Sequence, residues 1–175
     1  MRRGFVVQSR RMSALSLLDE GIAAFVQGAA LIDTAASRGA GNAPVLARAS
    51  GCRVAPDRGR IALYLARSKS EALIEAVRAT RAVAAVFSLP SSHRTVQLKG
   101  ADAEVGPPAA GDFEAVGRYI EAFAAELEPV GYGTDLARAL LWLDAQDLAV
   151  LWFTPTAAFS QTPGPGAGAP LRPAP

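Results

Sequence analysis

Apolar residues recur along this chain with two periods. A period of two runs through Val96 and Leu98, which alternate with Gln97 and Lys99, the mark of a strand with one wet face. A period of three to four runs through Phe113, Val116, Ile120, Phe123 and Leu127, with Glu114, Glu121, Glu126 and Glu128 marking the solvated side of a helix. From the N-terminus, Ser16 caps a short helix in 13–28 whose stripe is Leu17, Leu18, Ile22, Phe25 and Val26. Strands follow over 29–35 and 44–50, joined at Gly39-Ala40-Gly41-Asn42 into an antiparallel hairpin. An irregular connection over 51–59 leads to an apolar strand over 61–65. Ser68 and Glu71 have the spacing of a capping box, and Leu73, Ile74 and Val77 share one side of the helix they open. Strands over 82–89 and 94–105 flank a turn at Pro90-Ser91-Ser92-His93. Beyond Pro107 and Pro108 come two helices. Pro129 and Gly131 stop the first, and Thr134 caps the second, whose stripe is Leu136, Leu140 and Leu143. A last strand covers 148–153, with an extension to 159. The expected class is α+β: a small, mostly antiparallel barrel or curled sheet with one inserted helix and a C-terminal helical pair.

Composition narrows the function classes. A chain of 175 residues, half of them apolar, fits one domain with a core that needs no disulfide or metal. We assign that domain to 13–160, between a disordered basic extension (1–12) and a Pro/Gly-rich tail (161–175). The net charge of +2 misleads. Four of the 18 lysines and arginines are Arg2, Arg3, Arg10 and Arg11, which leaves 14 cations against 16 acids in the rest. Nucleic-acid binding gains no support from that balance. Phe5-Val6-Val7 is too short for a signal-peptide core, and no apolar run approaches the roughly 20 residues of a membrane helix. With Cys52 as the only cysteine, the expectation is a cytoplasmic protein with no membrane partner.

The joint Arg67-Ser68-Lys69 carries the most chemical information. Cations are unfavourable at the positive end of a helix, so Arg67 and Lys69 beside free N–H groups and a serine point to an anion held between them, a phosphate above all. The alternative is a solvated cap with both side chains in water. Arg78 and Arg81 sit where the helix dipole favours them.

Pro44-Val45-Leu46-Ala47-Arg48, the stretch Ile61 to Lys69, the strand Ala82 to Ser88 and Arg94-Thr95-Val96-Gln97-Leu98-Lys99-Gly100 together resemble the pyridoxamine 5′-phosphate oxidase-like family of FMN-binding split barrels. With the first strand they cover roughly residues 20 to 105. The resemblance implies a split-barrel homodimer with FMN in clefts between protomers, acting as an oxidoreductase on a small-molecule substrate. It gives the FMN phosphate to Arg67, Ser68 and Lys69 and lines the same cleft with Arg48. Tyr64 borders the ribityl chain, and Arg94, Thr95 and Gln97 fall on the strand that faces the ring. Other split barrels take a deazaflavin (F420) or haem, and a non-catalytic flavin-binding dimer is a further alternative. The true oxidase differs: its joint is one residue longer, Leu65 replaces a hydroxyl residue, and the tail offers only Arg172 in place of the C-terminal arginine and histidine motif. The resemblance therefore implies a small member other than that enzyme.

The remaining candidates read as structural. His93 is the lone histidine, in a polar turn, with no companion ligands for a metal; axial haem ligation is its functional alternative. Arg53 beside Cys52 would lower the thiol pKa, but a plain buried or semi-buried thiol is the simpler reading. Trp142 and Trp152, among leucines, read as core or dimer contacts. The glycines 164–168 lack the strand–turn–helix context of a nucleotide loop and read as part of an arm over a neighbouring protomer, with disorder beyond them. No side chain stands out as a catalytic acid or base.

Overall fold

A computed structural model describes residues 17–39 and 43–172. Ser16, the residues Ala40-Gly41-Asn42 and the basic extension lie outside the described residues. Among the described residues, eight strands form one antiparallel sheet: β1 (Leu31–Ala36), β2 (Val45–Val54), β3 (Ile61–Ala66), β4 (Val83–Ser88), β5 (Thr95–Gly100), β6 (Glu104–Gly106), β7 (Leu148–Phe153) and β8 (Ala157–Ser160). Their spatial order is β6-β7-β3-β2-β1-β4-β5-β8. Four α-helices lie among the same described residues: α1 (Glu20–Val26), α2 (Glu71–Thr80), α3 (Asp112–Leu127) and α4 (Thr134–Leu141).

Two connections dictate the curl of this sheet. From Gly100 to Glu104 the chain passes from the second-last strand at one end to the edge strand at the other. Four residues reach roughly 14 Å at most, so the two ends of the sheet must approach each other. The link from Phe153 to Ala157 makes a similar crossing, and on arrival Thr156 N–H donates to the Lys99 carbonyl of β5 at 2.8 Å. The sheet is curled without being hydrogen-bonded closed, which is a split barrel. The strand expected over 94–105 is accordingly two strands. Asp102, between them, accepts the Thr154 N–H at 2.8 Å and fixes the crossing.

The core follows the sequence pattern closely. All six residues of β3 are buried, while β1 and β4 alternate and keep Ile32, Thr34, Ala85 and Phe87 inside. Helix α2 buries Leu73, Ile74, Ala76 and Val77, and α3 buries Val116, Ile120, Phe123 and Leu127. Several expectations need correction. β2 does not end at Ser50 but runs on to Val54 through an irregularity between Ala49 and Cys52. Gly51 sits there at φ 115°, where a Cβ would lie 3.0 Å from the Tyr119 side chain, so only glycine allows both the bulge and the helix against it. Helix α1 is capped by Asp19, whose Oδ1 accepts the Ile22 N–H at 2.8 Å. The capping box of Ser68 and Glu71 does not form: residues Arg67–Lys69 make a separate 3-10 turn, and α2 begins after Ser70. Thr134 provides no side-chain cap to α4, and Leu136 and Leu140 are exposed, because α4 buries its Ala137 and Leu141 face. The tail is placed through Arg172. Gly168 N–H donates to the Ser160 carbonyl, Ser160 N–H to Ala169 and Leu171 N–H to Ala158, so it folds back on β8 of its own chain.

Candidate functional site

Register places the outward side chains of the sheet in rows. Leu46, Ala35, Ala84, Lys99 and Ala157 form one row, and Arg48, Asp33, Val86, Gln97 and Phe159 the next. Leu31, Ser88 and Thr95 begin a third. These side chains are partly or fully exposed, whereas most of their neighbours along each strand are buried, so they make one open face. Leu46 is 69% exposed on it. Arg48 and Gln97 share a row three strand spacings apart, roughly 14 Å. Arg48 Nε donates to Asp33 Oδ1 at 3.2 Å. The Thr95 hydroxyl lies 3.1 Å from Ser88 Oγ, and Lys99 stands over the Phe159 ring at 5.1 Å.

The joint adjoins this face. Ala49 pairs with Leu65, so Arg48 lies beside the strand end that opens into Arg67. Arg67, Ser68 and Lys69 are all exposed. An anion does sit among them, and it belongs to the chain itself. Asp147 Oδ1 accepts the Ser68 N–H at 2.8 Å, and its Oδ2 accepts the Ser68 hydroxyl at 2.6 Å. These hydrogen bonds, with Lys69 and Arg67 nearby, hold the Asp147 carboxyl below the usual carboxylate range. Sequence reasoning missed Asp147 because 79 positions separate it from Ser68; the pairing of Ala66 with Leu148 brings them together.

Two candidates point elsewhere. Tyr64 is wholly buried, and its hydroxyl donates to Asp112 Oδ1 at 2.9 Å. The Arg94 guanidinium lies 4.2 Å from the centre of the Phe25 ring in α1. Arg48, Thr95 and Gln97 thus share the open face, Arg67 to Lys69 border it, and Tyr64 and Arg94 make contacts inside the protomer. His93 is exposed in its turn at φ 56°. No group of three or more potential metal ligands occurs among the described residues. No helix there is long and apolar enough to cross a membrane.

The tryptophans divide. Trp152 is half-buried, with the Arg53 and Arg60 guanidiniums 5.3 and 5.9 Å from its ring centre. Trp142 is not core: it is 58% exposed, beside Phe113 and Ile120 in a shallow groove between α3 and α4.

Cys52 and Tyr119 hold their protons tightly. The thiol donates to the Val26 carbonyl at 2.9 Å and the Tyr119 hydroxyl to Ala30 at 2.8 Å, and burial pushes both pKa values up. Arg53 therefore does not activate the thiol. Above about pH 8.5 for Cys52 and about pH 10 for Tyr119, the unfolded chain loses protons that the folded chain keeps. Stability should then fall with rising pH, each group adding a slope of up to about 1.4 kcal/mol per pH unit. Urea unfolding between pH 8 and pH 11 measures this. The Y119F variant should flatten the upper part, and a flat wild-type profile would refute the assignment.

No protein-family model matches the sequence, and no curated protein does. Solved structures do match. HupZ of Group A Streptococcus aligns with a TM-score of 0.51 at 14% identity, over 86% of this chain and 98% of its own. A pyridoxamine 5′-phosphate oxidase-related, FMN-binding protein of Nostoc punctiforme aligns with a TM-score of 0.49 at 10% identity, over 88% of each chain. General Stress Protein 26 of Bacillus anthracis gives 0.47 at 11% identity, over 81% of this chain and 91% of its own. The likeness is one of fold alone, and with HupZ it extends over most of both chains.

Proposed function

We propose that this protein binds FMN as a homodimer and serves as a flavin-dependent oxidoreductase for a small molecule. The observation that carries the reading is the oxyanion seat at the joint. Ser68 offers an N–H and a hydroxyl to one carboxylate while Arg67 and Lys69 flank it, and this donor set suits a phosphate equally well. The open face beside it, with Arg48, Thr95 and Gln97, is the surface for the ring, and exposed Leu46 gives a second protomer apolar area to cover. FMN, when bound, supplies hydride chemistry through its own ring. The chain's part is to anchor the phosphate, to place polar groups at the ring and, with the partner protomer, to exclude water.

Absorption and fluorescence spectra of the desalted protein, before and after adding FMN, test the reading. Bound flavin is expected; a Soret band or deazaflavin fluorescence would instead make haem or F420 the ligand. Flavin binding without reduction by NADH or NADPH would leave a flavin-binding dimer module in place of an enzyme. Replacing Arg67 and Lys69 together by alanine should weaken FMN binding at least about tenfold, since both phosphate contacts are charge-assisted. Unchanged affinity in the folded double variant would remove the phosphate from this joint.

A further inference from the structure

The oxyanion seat at the joint is filled from within. Both carboxylate oxygens of Asp147 are engaged, one by each donor of Ser68. Asp147 ends a 3-10 turn (Ala145–Asp147) that leads into β7, and the pairing of Leu148 with Ala66 delivers its carboxylate across the two strand ends. A phosphomonoester cannot take the Ser68 N–H and hydroxyl while Asp147 holds both. Nor do two anions side by side share Arg67 and Lys69 without repulsion. The turn that carries Asp147 is exposed at Asp144, Ala145 and Gln146, so the carboxylate can leave the seat without opening the core.

We infer that Asp147 is a displaceable occupant of the anion seat and sets its affinity for phosphorylated ligands by competing for Ser68. This rests on the reading of the joint as the FMN phosphate anchor. Phosphate binding exchanges one charge-assisted pair of hydrogen bonds for another, so its net gain is smaller than the donor set alone would give. A ligand without phosphate bypasses the exchange.

The test is a titration of wild-type protein, D147N and D147A with FMN and with riboflavin, followed by flavin fluorescence. D147N keeps the side-chain shape and removes the charge; D147A removes the acceptor and stands in should D147N not fold. We expect FMN to bind at least about tenfold more tightly to either variant, with riboflavin affinity unchanged. Equal FMN affinity in wild type and variants overturns the competition while leaving the FMN reading intact. An equal gain for riboflavin also overturns it, because the seat would then be opened rather than freed of charge. Failure of FMN to bind wild type and variants alike overturns both this inference and the proposed function.

Discussion

Replacing Asp112 by alanine should lower the unfolding free energy by about 1–3 kcal/mol, the cost of leaving the buried Tyr64 hydroxyl without its acceptor. Asp112 is only 2% exposed at the start of α3. Its Oδ1 accepts the Tyr64 hydroxyl at 2.9 Å and faces an Arg53 guanidinium nitrogen at 2.9 Å, while Oδ2 accepts the Ala109 N–H at 2.8 Å. One carboxylate thus ties the fully buried strand β3, the bulged strand and the loop before α3 together. Alanine leaves a buried hydroxyl and the Arg53 charge without their shared acceptor. The amide of D112N would still accept from Tyr64 but would lack the charge for Arg53, so that variant should lose less. Y64F removes one donor and should cost about 1–2 kcal/mol. The Tyr64 and Asp112 losses should fall short of additivity in the double variant. Urea unfolding of this series measures the losses, and one below about 1 kcal/mol in D112A would show that the cluster contributes little.

The second large effect comes from a single methyl group. A Cβ on Gly100 would lie 2.6 Å from Cδ2 of Phe153 and 2.8 Å from the Thr154 carbonyl oxygen. Gly100 ends β5 at the seam where the ends of the curled sheet meet, so the obstacle includes backbone as well as a side chain. Overpacking of this kind costs about 1–3 kcal/mol and sometimes more. We expect G100A to reach the upper end, about 3 kcal/mol, or a melting temperature about 6–12 °C lower. Shortening the ring in an F153L background should not restore it, because the carbonyl remains. Gly117, with nothing within 4 Å of an added Cβ, is the control. A G100A protein that melts with the wild type would mean that the seam yields easily.

Much of this architecture is legible in the sequence because it is periodic. The buried run of β3, the alternation in β5 and the helical spacing in α3 each carry local information that packing then confirms. What was not legible is long-range. Gly51 reads as a loop residue until Tyr119 is placed against it. The break between β5 and β6 follows from the curl of the sheet, which no window of residues encodes. At the site, an anion among Arg67, Ser68 and Lys69 follows from misplaced cations, but its identity as Asp147 depends on β3 meeting β7. Tyr64 lies on the expected strand, yet the side chain that receives its hydroxyl stands 48 positions away.

Both ends of the sheet finish in proline. β6 has three residues and runs straight into Pro107 and Pro108, and β8 is lined by the returning tail, where Phe159 bridges to Pro170. β6 is only three residues long and stops at proline, and the returning tail already pairs with β8, so neither margin presents a long continuous ladder of donors and acceptors that recruits a further strand. The barrel is therefore guarded against strand addition and the fibrous growth that follows from it.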